Sequence, residues 1–146
     1  DGASAEDILV ELERLRPVTL TWAIARDIGH AVRGGRVPRW AKPLLNTLGL
    51  VPIAKVTGEG KLGMAGAFLG GRAIPERFAR YIAARVDHSK RWRAVVGHCD
   101  ALADADALLL ALQSRLDCAD AWIAETGPAV GAHAGPGALV VSLQPV

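Results

Sequence analysis

The stretch from Trp122 to Gln144 reads WIAETGPAVGAHAGPGALVVSLQ, and the one imidazole within it, His133, is the residue best suited to recognition chemistry. Imidazole donates or accepts hydrogen bonds and changes charge near neutral pH. Its neighbours are all small: Gly131 and Ala132 before it, Ala134, Gly135, Pro136 and Gly137 after it. Nothing bulky in the local chain can cover the ring, so it is expected at a cleft or rim. Glycine opens backbone angles closed to other residues and lets a ligand approach the main chain. Successive N–H groups in such a segment can also form a concave anion site. Gly131, Ala132, His133, Ala134, Gly135 and Gly137 are therefore the candidate ligand-binding residues. The same pattern also fits a tight turn whose histidine is merely solvated.

Other chemistry in the chain is sparse. Arg36 follows Gly34 and Gly35, which supply the left-handed geometry of a helix end, so it either points into the cleft the glycines open or binds the last carbonyls of that helix. His98 ends a short apolar run, where it can face a ligand or cap the next turn. Gly58-Glu59-Gly60-Lys61-Leu62-Gly63 matches the dinucleotide pattern G-x-G-x-x-G, but Gly63, Gly66, Gly70 and Gly71 make a poor helix after it, so it is expected to be a hairpin turn. Cys99 and Cys118 lack metal-ligand spacing and read as reduced thiols. No Ser-His-Asp set, metal cluster or phosphate loop is visible, so the chain reads as a binding module more than an enzyme.

The elements that would position His133 follow from local patterns. Ser4 is an N-cap for a helix with Ile8, Leu9, Leu12 and Leu15 on one side, ended by Pro17. Val18 to Ala25 reads as a buried strand, Asp27 to Val32 as a short helix, and Trp40 to Leu48 as another. Leu50 to Val56 and Lys61 to Phe68 form a hairpin. Arg72 to Val86 is an amphipathic helix with Ile74, Phe78, Tyr81, Ile82 and Val86 inward and Arg72, Arg77, Arg80 and Arg85 elsewhere. Arg93 to His98 is a strand, Asp104 to Leu116 a helix with Leu108, Leu109, Leu112 and Leu116 inward, and Ala119 to Ala124 the next strand. The glycine-rich segment is expected as a hairpin bend into the last strand, Ala138 to Leu143. The alternation indicates an α/β fold, a two-layer mixed β-sheet packed with helices.

The 146 residues make one domain by length, with enough chain to bury a core. Hydrophobic residues make up 51% while aromatics make up only 5%, because alanine carries much of the count. Mean hydropathy is +0.23, which suggests apolar surface meant for a ligand, a partner or a membrane. No apolar run approaches a bilayer span and the N-terminus shows no signal-peptide pattern, so a cytoplasmic protein is expected. The formal net charge of +2 hides segregation: residues 26 to 61 and 72 to 93 each hold seven bases against two acids. Such a basic block attracts anionic lipid, phosphate or an acidic partner, or simply forms solvated helix faces.

Two blocks resemble a known family. Glu125 to Leu139, E-T-G-P-A-V-G-A-H-A-G-P-G-A-L, is similar to the C-terminal signature of the DegV family of bacterial fatty-acid-binding proteins, and Gly29 to Val56 is similar to that family's Gly-Gly-Arg segment and the strand after it. The resemblance implies the C-terminal half of a two-domain fold with one fatty acid between the domains. Residues 1–17 would then be the helix at the inter-domain junction and 18–146 the C-terminal domain, with the N-terminal domain absent. His133 matches the histidine that contacts the ligand carboxylate, Gly131, Gly135 and Gly137 match the backbone around it, and Gly34, Gly35 and Arg36 match a basic rim. Ala134 departs from the hydroxyl residue of many relatives, and no arginine aligns between Met64 and Gly71.

What the resemblance implies for function is a lipid-binding domain that takes a long-chain fatty acid, needs no cofactor and presents its ligand to a kinase partner. Transient contact with an anionic membrane surface and a homo-oligomer are further expectations, and nucleic acid is not. The alternatives are a dihydroxyacetone-kinase-like substrate domain holding a small carbonyl compound on His133, and a regulatory domain of a kinase-like fusion.

Overall fold

The computed structural model describes residues 2–35 and 37–146. In chain order the elements are α1 (Ala5–Leu15), a 3-10 turn (Arg16–Val18), β1 (Leu20–Ile24), α2 (Ile28–Arg33), α3 (Ala41–Thr47), β2 (Leu50–Val56), β3 (Leu62–Leu69), α4 (Ile74–Ala83), β4 (Trp92–His98), α5 (Leu102–Gln113), β5 (Cys118–Glu125), α6 (Pro128–Ala134) and β6 (Leu139–Pro145). The strands form one open sheet in the order β3-β2-β1-β6-β4-β5. β4 and β5, joined across α5, pair in parallel, and every other pairing is antiparallel. This is the mixed α/β architecture expected from the alternation of strand and helix patterns.

Because side chains alternate across a strand, each strand has two different faces. Trp22, Ile24, Val51, Ile53, Ala94, Val96, Leu139, Val141 and Leu143 share one face and are buried. α4 and α5 cover it with Phe78, Ile82, Leu108 and Leu112, all of them inaccessible. Each such side chain stabilises the fold by about 1.5–3 kcal/mol relative to exposure. Phe78 stacks on Phe68 of β3, with ring centroids 6.5 Å apart. The inward set expected for α4 is buried apart from Tyr81, which is half-buried and donates its hydroxyl to the Ala65 carbonyl at 2.6 Å. Two arginines of that helix are tied to backbone: Arg77 donates to the Leu69 carbonyl, and Arg85 donates to that of Tyr81 while lying over its ring.

One reading changes. The glycine-rich segment is not a bend between paired strands, for β5 and β6 do not pair; β4 lies between them. Its middle is a helix, α6, which carries Pro128 in its first turn and ends on Gly135. Proline at a helix start loses no hydrogen bond, and Gly135, with φ +74, supplies the left-handed exit. The Gly58–Gly63 motif is, as expected, the β2–β3 hairpin turn, where Thr57 N–H donates to the Lys61 carbonyl and Gly60 N–H to the Thr57 carbonyl, both at 2.8 Å. A hairpin has no helix N-terminus to hold a pyrophosphate. α1 begins as expected, with a reciprocal Ser4–Asp7 capping box, yet buries none of its residues: Ile8, Leu9, Val10 and Leu12 are all at least half exposed.

Candidate functional site

The sheet face away from α4 and α5 is only partly covered and holds a groove of about 440 Å³. Its floor is small: Ala23 lies on β1 and Ala25 just after it, Pro52 and Ala54 lie on β2, and Val140 lies on β6. These residues are offset by one from the buried set of the same strands, so the strand register alone sends them to the open side. Val56, Leu62 and Met64 wall the groove along β2 and β3, and Leu62 and Met64 are 54% and 63% exposed. Ala31 of α2, Val37 of the segment after it, and Ala129, Val130, His133 and Ala134 of α6 close the end.

Among the described lining residues only Thr21 and His133 carry polar side chains. The Thr21 hydroxyl is already hydrogen-bonded to Ser142 across β1 and β6 at 2.9 Å. His133, in the last turn of α6, is exposed and borders the apolar space, as its small neighbours predict. A polar band, with Arg93 reaching Asp120 at 3.4 Å and Gln144 donating to Thr19 at 3.4 Å, occupies the sheet beyond the groove. The groove thus offers apolar wall along β1 to β3 and a polar side chain, His133, at the end that α6 closes.

The glycines around His133 do structural work that sequence reasoning missed. A β-carbon on Gly131 would sit 3.3 Å from the Cys99 sulfur, so α6 lies directly on that side chain. One on Gly135 would lie 2.7 Å from Cδ2 of His30, and one on Gly137, with φ +83, would lie 2.9 Å from Cδ of Arg26. Arg26 is in turn held by Asp104 at 2.7 Å. The Gly137 N–H donates to the Cys99 carbonyl at 2.8 Å, and Cys99 N–H to the Ala138 carbonyl at 3.0 Å, which fixes the exit from α6 to β6. Gly131, Ala132, Gly135 and Gly137 are not among the residues lining the groove; His133 and Ala134 are.

Of the basic rim expected after α2, Gly34 ends that helix and Gly35 takes φ +72, while Arg36 falls outside the described residues. Asp27 caps α2 by accepting from Gly29 N–H at 2.7 Å, and Lys42 and Arg33 converge near the same glycine. His98 is buried; its Nδ1 accepts from Ala101 N–H at 3.3 Å, so it serves the turn into α5 and faces no ligand space. Burial, reinforced by the neighbouring Asp117, pushes the Cys118 thiol up. No group of His, Cys, Asp and Glu able to hold a metal occurs among the described residues.

The fold and the site together define a mixed six-stranded α/β domain whose open face carries an apolar groove with a histidine of a short glycine-bracketed helix at its end. The family description "Uncharacterised protein, DegV family" matches residues 1–146, and the chain belongs to that family. A DegV domain-containing protein of Clostridium perfringens, CPE2509, is 27% identical over 144 residues, which cover 99% of this chain and 51% of that protein. A Thermus thermophilus DegV family structure described by its fatty acid binding is 28% identical, with a TM-score of 0.78, over 99% of this chain and 52% of that one. The Streptococcus pneumoniae Fatty Acid Kinase (Fak) B3 protein, loaded with linoleic acid, shares the fold at a TM-score of 0.80 and 15% identity, over 98% of this chain and 50% of that one. The chain thus spans about half the length of the relatives it matches.

Proposed function

We propose that this chain is the half of a fatty-acid carrier that lines the acyl cleft and meets the ligand carboxylate at His133. The observation that carries the reading is the pairing of an almost wholly apolar groove with a polar side chain at its end, His133, which together with Thr21 makes up the polar side chains among the described lining residues. A carboxylate entering an apolar cleft needs a donor to stay ionised, and an imidazole is one. The groove's length of apolar wall favours an acyl chain over a small carbonyl compound. No cofactor is required by this role. The partly exposed walls fit a site completed by the remainder of a longer polypeptide, with residues 1–17 at the junction and 18–146 as its C-terminal domain. Self-association is the other way to cover them. The fatty-acid-bound relatives support the ligand class, and the likeness to the Fak B3 protein supports delivery to a kinase.

Organic extraction of the native polypeptide that carries this chain, followed by mass spectrometry, should release long-chain fatty acid in near-stoichiometric amount. Recovery of no acyl lipid after expression with fatty acid supplied would defeat the proposal. A transient contact with anionic membrane is supported by Trp40, Leu44 and Leu48, spaced four apart and 73%, 53% and 51% exposed, with Arg39 and Lys42 beside them. Cosedimentation with phosphatidylglycerol vesicles, reduced by Trp40→Ala, would test it. No helix of the described residues is long and apolar enough to cross a membrane.

A further inference from the structure

We infer that Gly34 is the positioning residue for His133: the bare α-carbon at the end of α2 is the seat against which the imidazole is held at the groove. This rests on the fatty-acid reading for its consequence, but its geometry is independent of any ligand. A β-carbon on Gly34 would overlap Nδ1 of His133 and would lie 3.4 Å from its Cε1. The ring therefore presents its Nδ1 edge to Gly34, leaving Nε2 as the nitrogen free to turn toward the groove. The backbone of Gly34 does not itself call for glycine, since φ is −77° and ψ is 0°, ordinary values for any residue. Its lack of a side chain is explained by the ring packed on it.

The arrangement is reciprocal. His30, on α2, packs on Gly135, the residue that ends α6; a β-carbon there would meet its Cδ2 at 2.7 Å and its Cγ at 2.9 Å. His133, on α6, packs on Gly34, the residue that ends α2. Each helix thus places a histidine on the other's terminal glycine, and the two are locked in one relative position. Gly135, unlike Gly34, also needs its φ of +74, so a side chain there would strain the backbone. Gly34 is the partner that can be altered with a steric effect alone.

The test is Gly34→Ala, with Gly58→Ala as a control, because a β-carbon at Gly58 meets nothing within 4 Å. In the 146-residue chain, long-range ¹H–¹⁵N spectra should show the His133 ring resonances displaced by Gly34→Ala and unmoved by Gly58→Ala. Unmoved His133 resonances in Gly34→Ala would overturn the inference. In the native polypeptide, Gly34→Ala should weaken palmitate binding roughly tenfold to a hundredfold, the range for losing a charge-assisted hydrogen bond. Adding it to His133→Ala should cost nothing more, and additive losses would mean that Gly34 acts by another route. If Gly34→Ala lowers the melting temperature, the double variant should restore it to the His133→Ala value, and failure to recover would also refute the seat. If wild type binds no fatty acid while the ring resonances still move, the carboxylate reading falls and the seat stands.

Discussion

Filling the groove floor at Ala54 separates the two faces of β2 with a single substitution. Ala54 faces the groove while its neighbour Ile53 is fully buried in the core on the other side. Ala54→Leu therefore adds bulk to empty space and leaves the packed side untouched. The added carbons displace about three ligand methylenes, and at about 0.8 kcal/mol each the loss is about 2.4 kcal/mol. That corresponds to roughly 60-fold weaker binding of a long-chain fatty acid. The assay is titration of palmitate and of octanoate into the native polypeptide, with and without the substitution. Palmitate should lose far more than octanoate if the tail lies over Ala54 while the head stays at His133. The melting temperature should hold or rise. Unchanged palmitate affinity would show that the acyl chain does not run along β2.

Other outcomes follow from local physics. Ala73 precedes α4 with φ +62 and ψ +39, left-handed geometry that costs a side-chain-bearing residue about 1–2 kcal/mol. Ala73→Gly should stabilise the chain by about 0.5–1 kcal/mol after the entropy of glycine is deducted, read as a rise in thermal midpoint; a fall would refute the strain argument. The Ser4 hydroxyl and backbone hold the Asp7 carboxyl below its ordinary range. A depressed carboxylate contributes stability above its unfolded value that is lost as pH falls through its folded one, so the amides of α1 should fray in that acid window. Ser4→Ala should shift the Asp7 titration upward in NMR, and an unshifted titration would contradict the capping box. Fraying should leave the core unaffected, since α1 buries nothing in it.

How far these features could be read from sequence depends on where their cause lies. Strands announced themselves because Trp22 and Ile24, or Val51 and Ile53, recur with the period of two that a sheet face demands. α4 was equally legible, since Ile74, Phe78 and Ile82 repeat at the helical period. α6 was hidden by its composition, for glycine and proline dominate the stretch. The signal existed in their order: Pro128 just inside the start and Gly135 just past the end is the asymmetry of a helix. Gly131 could not be explained from sequence, because its reason is the Cys99 sulfur on a distant loop. Likewise the apolar face of α1 was visible, while its exposure depends on what packs there.

The most direct test of the central claim compares hexadecanoic acid with 1-hexadecanol on wild type and on His133→Ala, in the native polypeptide. The tail is the same in both ligands, so the ratio of their affinities isolates the headgroup. Wild type should prefer the acid by roughly tenfold to a hundredfold, as expected for a charged hydrogen bond, and His133→Ala should abolish that preference while retaining most of the alcohol's affinity. A variant that keeps the full preference for the acid would contradict the assignment of His133 to the carboxylate.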